Sequence, residues 1–542
     1  MNFIEEKIDN KIKENPKYVP TFRFPPEPNS KAGIHLGHVK SIVLNFGLAE
    51  KYNSTCILRF DDTNPTKEKT EYVNSIISDI NWLGYTPYKI TYASDYFNAM
   101  CGVVTSLIST GYAYIDFSTS EEIANMKGNL TTSGLNSPYR DTDPSENFEI
   151  FQKMRSGEIT NAVVRAKIDM GSHNMLLRDP VIYRCIDTPH HRTGDIWKVY
   201  PMYDFAHPLC DIFEKITDSL CTLEFEVHRP MYNWVLENTY HKLPSPEQTE
   251  FNRLNINYNV LSKRFINEMV DNGVINGIDD PRLLTIKSLR RRGYTPSILK
   301  AFCEKVGWTK NNSTSDYALL EACAREEFNK TSDRYMTVID PIKLTITNWG
   351  EDVIDWFTIE NNPEDSETGE RTIPFTTMLY IEREDFKEDA NRKFFRLKIG
   401  GEVRLKGAYV VKAYDCIKDD NGEIIEVLCT VDPNSKSGME LDRKIKGTIH
   451  WVSRNHAVDC EIREYDRLFN EEKPNTDNIL ESVNKNSLSI KNGYSEINSL
   501  KLLGKFNTVQ FMRKGYYIID KDSTESKLVF NRCVTLKETW NK

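Results

Sequence analysis

No apolar run in this chain is long enough to cross a bilayer, and the charged N-terminus MNFIEEKIDNKIKENPK lacks the apolar core of a secretion signal. Both absences argue against a membrane or exported protein, so the expected location is cytoplasmic. A basic excess is missing too: 70 Lys and Arg face 79 Asp and Glu, a net charge of −9. That argues against a protein coating nucleic acid indiscriminately. It leaves room for a selective nucleic-acid partner met by local clusters such as Arg290, Arg291 and Arg292, although a triple arginine is also ordinary on a solvated helix face. No Cys-x-x-Cys pair occurs, and the 11 cysteines are scattered and odd in number. Reduced, buried thiols fit that pattern better than a disulfide framework. No metal site is expected, and no solenoid-type repeat is present.

What is present is a globular composition, 39% hydrophobic and 27% charged over 542 residues, enough for three to five domains. After a polar tail (1–20), Thr21–Phe24 reads as a strand running into a Pro-rich turn, and Val39–Tyr52 as a helix. Cys56–Phe60 is a second strand ending in Asp61-Asp62, and Glu68–Leu83 a second helix. This alternation opens a doubly wound, Rossmann-like α/β sheet, whose ligands bind at the carboxyl ends of its strands. The first half of that fold is placed at 21–99, an inserted domain at 100–198 and the second half at 199–264. Residues 265–338 look helical. From 339 to 542 period-2 alternation, as in GEVRLKGAYVVKA and RKIKGTIHWVS, predicts two β-barrels, with Asn361–Thr372 and Glu471–Glu496 as loops.

Within the first turn, PPEPNSKAGIHLGHVKS sets His35 and His38 three apart at the start of a helical pattern. Such a pair is a surface pair, half of a metal site, or a phosphate site in which ring nitrogens join the positive end of a helix dipole. The spacing alone does not choose among them.

More segments decide it. RFPPEPN with HLGH, LRFDDTNP, NSPYRD, YPMYDF, SLCTLEF, VLSKR, RRRGYT, VIDP and IHWVS occur in an order that resembles class I aminoacyl-tRNA synthetases, specifically the glutaminyl-tRNA synthetase family. The resemblance runs from about Phe22 to the end of the chain. It implies ATP-dependent activation of L-glutamine and transfer to the 2′-hydroxyl of the terminal adenosine of tRNA(Gln), with AMP and pyrophosphate released. Mg²⁺ accompanies the ATP, and a monomer is expected. The inserted domain would bind the acceptor stem, and the barrels the anticodon.

By the same resemblance His35, His38 and Lys263 are the catalytic residues, the histidines donating to phosphate oxygens and the lysine meeting the departing pyrophosphate. The ATP site would include Glu27, Pro28 and Asn29 from the turn, and Leu36, Gly37, Val39, Lys40 and Ser41 from the helix start. Thr222, Arg253 and Leu254 join them, with Leu261 and Ser262 beside Lys263. Asp61 would hold the α-ammonium group, Tyr203 would read the side-chain amide, and Arg23 and Cys221 would complete the glutamine pocket. Leu130, Arg334, Arg404 and Arg513 fall where relatives touch tRNA.

Three departures stand out. Ser30–Ile34 places five residues between Asn29 and His35 where relatives usually have three, Leu261 replaces a methionine, and Val227 stands where some relatives have an aspartate. The rival readings are a glutamate–tRNA ligase, whose relatives tend to carry arginine at the position of Cys221, and a non-catalytic tRNA-binding relative.

Overall fold

The computed structural model describes residues 2–240, 245–391 and 393–538. Met1, 241–244, Arg392 and 539–542, which fall within the expected domains, lie outside the described residues. Two compact units are present: Met1–Asn255 with Cys303–Ser315, and Ile256–Phe302 with Asp316–Lys542.

In the first unit, the stretch whose composition predicts a polar tail is a helix, α1 (Phe3–Glu14). Asn2 caps it through a reciprocal bond with Glu5, and the fourfold spacing of Ile4 and Ile8 gives one buried face. Two isoleucines among charged residues are enough for a helix once they find a core. Strand β1 (Thr21–Phe24) leads to α2 (Leu36–Lys51), β2 (Thr55–Phe60), α3 (Thr70–Trp82) and β3 (Lys89–Tyr92), and the three strands pair in parallel. Helix α4 (Phe97–Ser109) then enters an antiparallel sheet of β4 (Ala113–Asp116), β5 (Val163–Ala166), β6 (Val181–Cys185) and β7 (Val199–Pro201). Helices α5 (Ser120–Lys127) and α6 (Pro144–Ser156) lie between β4 and β5. Strand β7, placed on sequence with the second Rossmann half, is hydrogen-bonded to β6 in this inserted sheet.

The chain then returns through α7 (Tyr203–Phe213), β8 (Asp218–Thr222), α8 (Arg229–Thr239) and β9 (Glu247–Phe251), β8 and β9 pairing in parallel. Thr217 donates its amide to the Thr21 carbonyl and its hydroxyl accepts from the Thr21 amide, so β8 runs beside β1. One hydrophobic cluster joins Phe97, Met100 and Val104 to Val164 and Ile182 of the inserted sheet and to Phe205 and Leu209. The insertion therefore shares its core with the Rossmann helices instead of standing apart.

The second unit carries helices at Lys263–Asp271, Ile286–Arg291 and Tyr317–Thr331, then two seven-stranded, barrel-like sheets. One is drawn from residues 341–453, with Trp451 and Phe375 in its core. The other combines Arg334–Tyr335 and Thr337–Ile339 with strands from 458–535, so the first sheet is inserted into the second. The helical stretch expected to reach 338 accordingly ends at Thr331. Leu488–Ser495, within an expected loop, is a strand against Val458–Tyr465. Its residues Ser489–Asn492 are exposed, which removes the alternation a half-buried strand would show. Glu370–Phe375 likewise takes the last residues of the expected loop 361–372 into a hairpin with Asp355–Glu360. Two arginines of the cluster 290–292 are internal: Arg291 pairs with Asp520, and Arg292 donates to the Cys533 carbonyl and the Tyr317 hydroxyl.

Candidate active site

His35 is the N-cap of α2, with the extended backbone of a cap residue. Its Nδ1 accepts from the His38 amide at 3.4 Å, and the His38 Nδ1 accepts from the His35 amide at 3.2 Å. The rings stack 3.7 Å apart. With both Nδ1 atoms acting as acceptors, each neutral ring carries its proton on Nε2. Two N–H groups and the positive helix end are thus in one place, an arrangement suited to phosphate oxygens.

The turn that precedes them is anchored from both sides. The Pro26 carbonyl accepts from the Asp61 amide at 3.1 Å and the Pro28 carbonyl from the Lys69 amide at 3.2 Å. Asn29 donates to the exposed Glu27. The longer Ser30–Ile34 segment packs inward: Ala32 and Ile34 are buried, and Gly33 adopts φ +65° where an added Cβ would lie 3.2 Å from Asp79 Oδ2. Leu36 and Val39 face the core, while Gly37 and Ser41 are half-buried. Lys40 is buried and donates to the Asn252 carbonyl and Oδ1, both at 2.9 Å. Burial lowers its pKa to about 8. Its ammonium ties α2 to the segment bearing Arg253 and Leu254. Leu254 is buried, whereas the exposed Arg253 bonds Asn255 Oδ1 at 2.9 Å. Thr222 ends β8 and donates to Glu224.

The residues expected to read the amino acid converge. Burial first, then Cys221 and Asp61, holds the Tyr203 phenol well above its usual range, so these groups lie within electrostatic reach of one another. Tyr203 packs 5.4 Å from the His207 ring and 5.6 Å from Phe225. Asp61 is buried, and its Oδ1 has no hydrogen-bond partner among the described residues. Burial, reinforced by Glu27, raises its pKa to about 7. An orphaned carboxylate oxygen of this kind suits a ligand cation.

Arg23 does not project freely. Its guanidinium donates to Asp211 Oδ1 at 3.2 Å, the Leu220 carbonyl at 2.9 Å, Ser219 Oγ at 2.9 Å, His207 Nε2 at 2.7 Å and Cys221 Sγ at 3.4 Å. Asp211 also accepts from Arg59 at 2.6 Å and Tyr232 at 2.9 Å, and Arg59 pairs with Glu214 at 2.6 Å. Burial works against the Asp211 charge, yet Arg23 and Arg59 hold its pKa well below the carboxylate range. Burial lowers the His207 pKa, in keeping with its accepting from Arg23. Sequence reasoning missed Asp211, Arg59, Ser219 and Tyr232. Arg59 and Ser219 lie within the motifs LRFDDTNP and SLCTLEF, whereas Asp211 and Tyr232 lie in none of the quoted segments.

Asp62, His190 and His191 form the one group among the described residues placed to hold a metal. The His190 Nε2, however, donates to the Asp62 carbonyl at 2.8 Å while its Nδ1 accepts from the amides of Arg192 and Thr193. A ring with both nitrogens so engaged has no lone pair left for a metal, and the group does not fit one.

In the second unit the exposed Ser262 stands at the N-cap position of the helix that Lys263 opens, without a side-chain capping bond, and half-buried Leu261 precedes it. Leu130 is 81% exposed in the loop after α5, and Val227 is exposed with its carbonyl bonded to Asn174. Arg334 pairs loosely with Glu364 at 3.6 Å. Arg404 donates to the carbonyls of Ala408 and Ser435, and Arg513 makes a two-pronged pair with Asp385 at 2.6 and 2.7 Å.

A parallel sheet with an antiparallel insertion and two histidines at a helix start fit the catalytic unit expected of a class I synthetase. Family models for "tRNA synthetases class I (E and Q)" match residues 19–396 as catalytic domain and 448–520 as anticodon-binding domain. Glutamine–tRNA ligases of Rhodopirellula baltica (49% identity, all of this chain and 90% of the relative), Idiomarina loihiensis (48%, all and 97%) and Photobacterium profundum (47%, all and 98%) are similar along the whole length. A solved glutamate tRNA ligase of Elizabethkingia meningosepticum is similar over 58% of this chain and 70% of its own at 16% identity, with a TM-score of 0.43 that carries no argument. The chain belongs to the class I tRNA synthetases of the glutamate and glutamine type, and within them to the glutamine–tRNA ligase family.

Proposed function

We propose that this enzyme is a glutamine–tRNA ligase in which Asp61, Tyr203 and Cys221 select L-glutamine, and His35, His38 and Lys263 stabilise phosphate charge. The observation that carries the choice of glutamine is the charge balance around Arg23. Arg23 and Arg59 are matched by Asp211 and Glu214, and the His207 Nε2 accepts from Arg23. Cys221, whose thiol burial holds up in its protonated form, supplies no cation. Asp61 then meets the α-ammonium group, and among these groups no cation is left over to neutralise a second carboxylate. A glutamate side chain would be left buried and unpaired there.

The substrate carboxylate attacks the α-phosphorus of ATP, and the bond to pyrophosphate breaks. The Nε2–H groups of His35 and His38 donate to oxygens that gain charge, and Lys263 meets the leaving pyrophosphate. The ribose 2′-hydroxyl of the terminal tRNA adenosine then takes the acyl group and AMP leaves. No covalent enzyme intermediate is required, so positioning and charge stabilisation carry the rate. Mg²⁺ bound to the triphosphate would offset part of its charge.

For the tRNA, the exposed tip at Leu130 suits a wedge at the acceptor end, and the barrel-like sheets with Arg334, Arg404 and Arg513 suit the anticodon. With Arg404 and Arg513 engaged inside the fold, their part is to shape the sheet surface. No helix among the described residues is long and apolar enough to cross a membrane. A cytoplasmic monomer remains the expectation.

ATP–pyrophosphate exchange with glutamine and with glutamate, each with and without tRNA, tests the reading. Exchange is expected with glutamine and to require tRNA; exchange with glutamate alone would overturn it. Lys263→Ala should slow exchange on the order of 10²-fold or more at nearly unchanged tRNA affinity, which a non-catalytic relative could not show.

A further inference from the structure

Between β6 and β7 the chain folds back to the end of β2, closed on itself by a bridge between His190 and Gly194. His190 is 3% exposed, and both of its ring nitrogens are engaged. Nδ1 accepts from the amides of Arg192 and Thr193 at 3.2 Å each, and Nε2–H donates to the Asp62 carbonyl at 2.8 Å. Burial lowers its pKa, in keeping with a neutral ring.

What this ring holds is the turn carrying Asp61. The Asp61 Oδ1 has no hydrogen-bond partner among the described residues, and the side-chain bond its carboxylate does make is to Thr63 of the same turn, so its aim follows the backbone of that turn. Upstream, the Asp61 amide is fixed by the Pro26 carbonyl at 3.1 Å. Downstream, the Asp62 carboxylate accepts from the Ser94 amide at 2.8 Å and hydroxyl at 2.6 Å, which leaves its carbonyl to His190. Arg192 closes the clasp by donating to Ser94 Oγ at 2.6 Å and Asp95 Oδ1 at 2.8 Å, with its guanidinium 3.7 Å over the Tyr92 ring.

We infer that His190 is a positioning residue for amino-acid recognition, holding the Asp62 carbonyl so that the neighbouring Asp61 carboxylate is aimed at the α-ammonium group. The inference rests on the reading of Asp61 given above. A buried carbonyl that loses its donor is left unsatisfied, and the turn can relieve that only by moving. A small misplacement of a substrate-binding carboxylate is costly.

Three variants of the full chain test it in glutamine-dependent exchange with tRNA present. His190→Gln keeps an N–H near the place of Nε2, His190→Asn draws it back by one carbon, and His190→Leu removes it. The Asn and Leu variants should raise the KM for glutamine on the order of tenfold, with kcat and the KM for ATP little changed, and the Gln variant should recover most of the loss. A merely structural histidine would move the KM for ATP and kcat together with that for glutamine, and that result overturns the inference. So does an unchanged KM for glutamine in the Asn variant. Should the Leu variant not fold, the contrast between Gln and Asn decides. Asp61→Asn serves as the control: if it leaves the KM for glutamine unchanged, the reading of Asp61 fails and the inference falls with it.

Discussion

The Nδ1 atoms of His35 and His38 each accept the other's backbone N–H, so the two rings cap their own helix while each neutral ring carries its proton on Nε2. Capping and phosphate binding can be separated because asparagine is also a favoured N-cap. His35→Asn should leave the melting temperature nearly unchanged and lower kcat/KM for ATP in the exchange assay on the order of 10²-fold. A variant that melts normally and keeps wild-type exchange would show that the ring has no part in holding phosphate.

The first strand, the two α/β turns and the signature histidines were legible because each is local: a short apolar run, a turn, a helical spacing. Helix α1 was not, since two isoleucines among charges give little signal until Ile4 and Ile8 find a core. The strand Leu488–Ser495 was hidden by its exposed middle. The residues proposed to read the amino acid were picked out through family motifs. Their support was invisible, because Arg23 meets Asp211 across 188 positions and His190 meets Asp62 across 128. No periodicity encodes such pairs. Arg404 and Arg513 also bond within the fold, to the Ser435 carbonyl and to Asp385, partners that no local pattern announces.

Asp61 gives glutamine binding a pH signature. Burial and the charge of Glu27 raise its pKa to about 7, so below that pH the free enzyme carries a neutral acid where the ammonium group must bind. The KM for glutamine should therefore rise as pH falls through 7, approaching tenfold per pH unit well below it, while the KM for ATP stays flatter. Asp61→Asn should raise the KM at neutral pH and abolish this dependence. A KM for glutamine flat from pH 8 to pH 6 would contradict the role given to the carboxylate.

The Arg513–Asp385 pair predicts a stability effect in the second unit. Asp385 is fully buried, accepts both prongs of Arg513 and has Arg396 at 3.3 Å as its other partner. Removing Arg513 leaves that carboxylate under-compensated. Arg513→Ala should cost about 2–3 kcal/mol, somewhat below a fully isolated buried charge because Arg396 remains. Well below the melting temperature, the salt dependence of tRNA binding should keep its wild-type slope. A slope shallower by about one would instead mark a direct phosphate contact.

Glu68 carries the largest upward shift of a carboxylate in the catalytic unit for which a value can be given. Its Oε1 accepts from the Asn64 amide at 2.9 Å, its Oε2 has no partner among the described residues, and burial raises its pKa to about 9. The folded protein thus holds a proton that the unfolded chain, with an ordinary carboxyl, gives up near pH 4.5. Between those values the native state binds the extra proton, so this group's contribution is fully present below about pH 4.5 and is lost as pH rises toward 9. Glu68→Gln keeps an acceptor for Asn64 and needs no proton. It should match the wild type below the lower value and be the more stable protein at pH 7, on the order of 2–3 kcal/mol, with the gap widening toward pH 9. Thermal or denaturant melts of both proteins across that range provide the measurement, and a constant difference at all pH values would show that Glu68 is ionised in the folded chain.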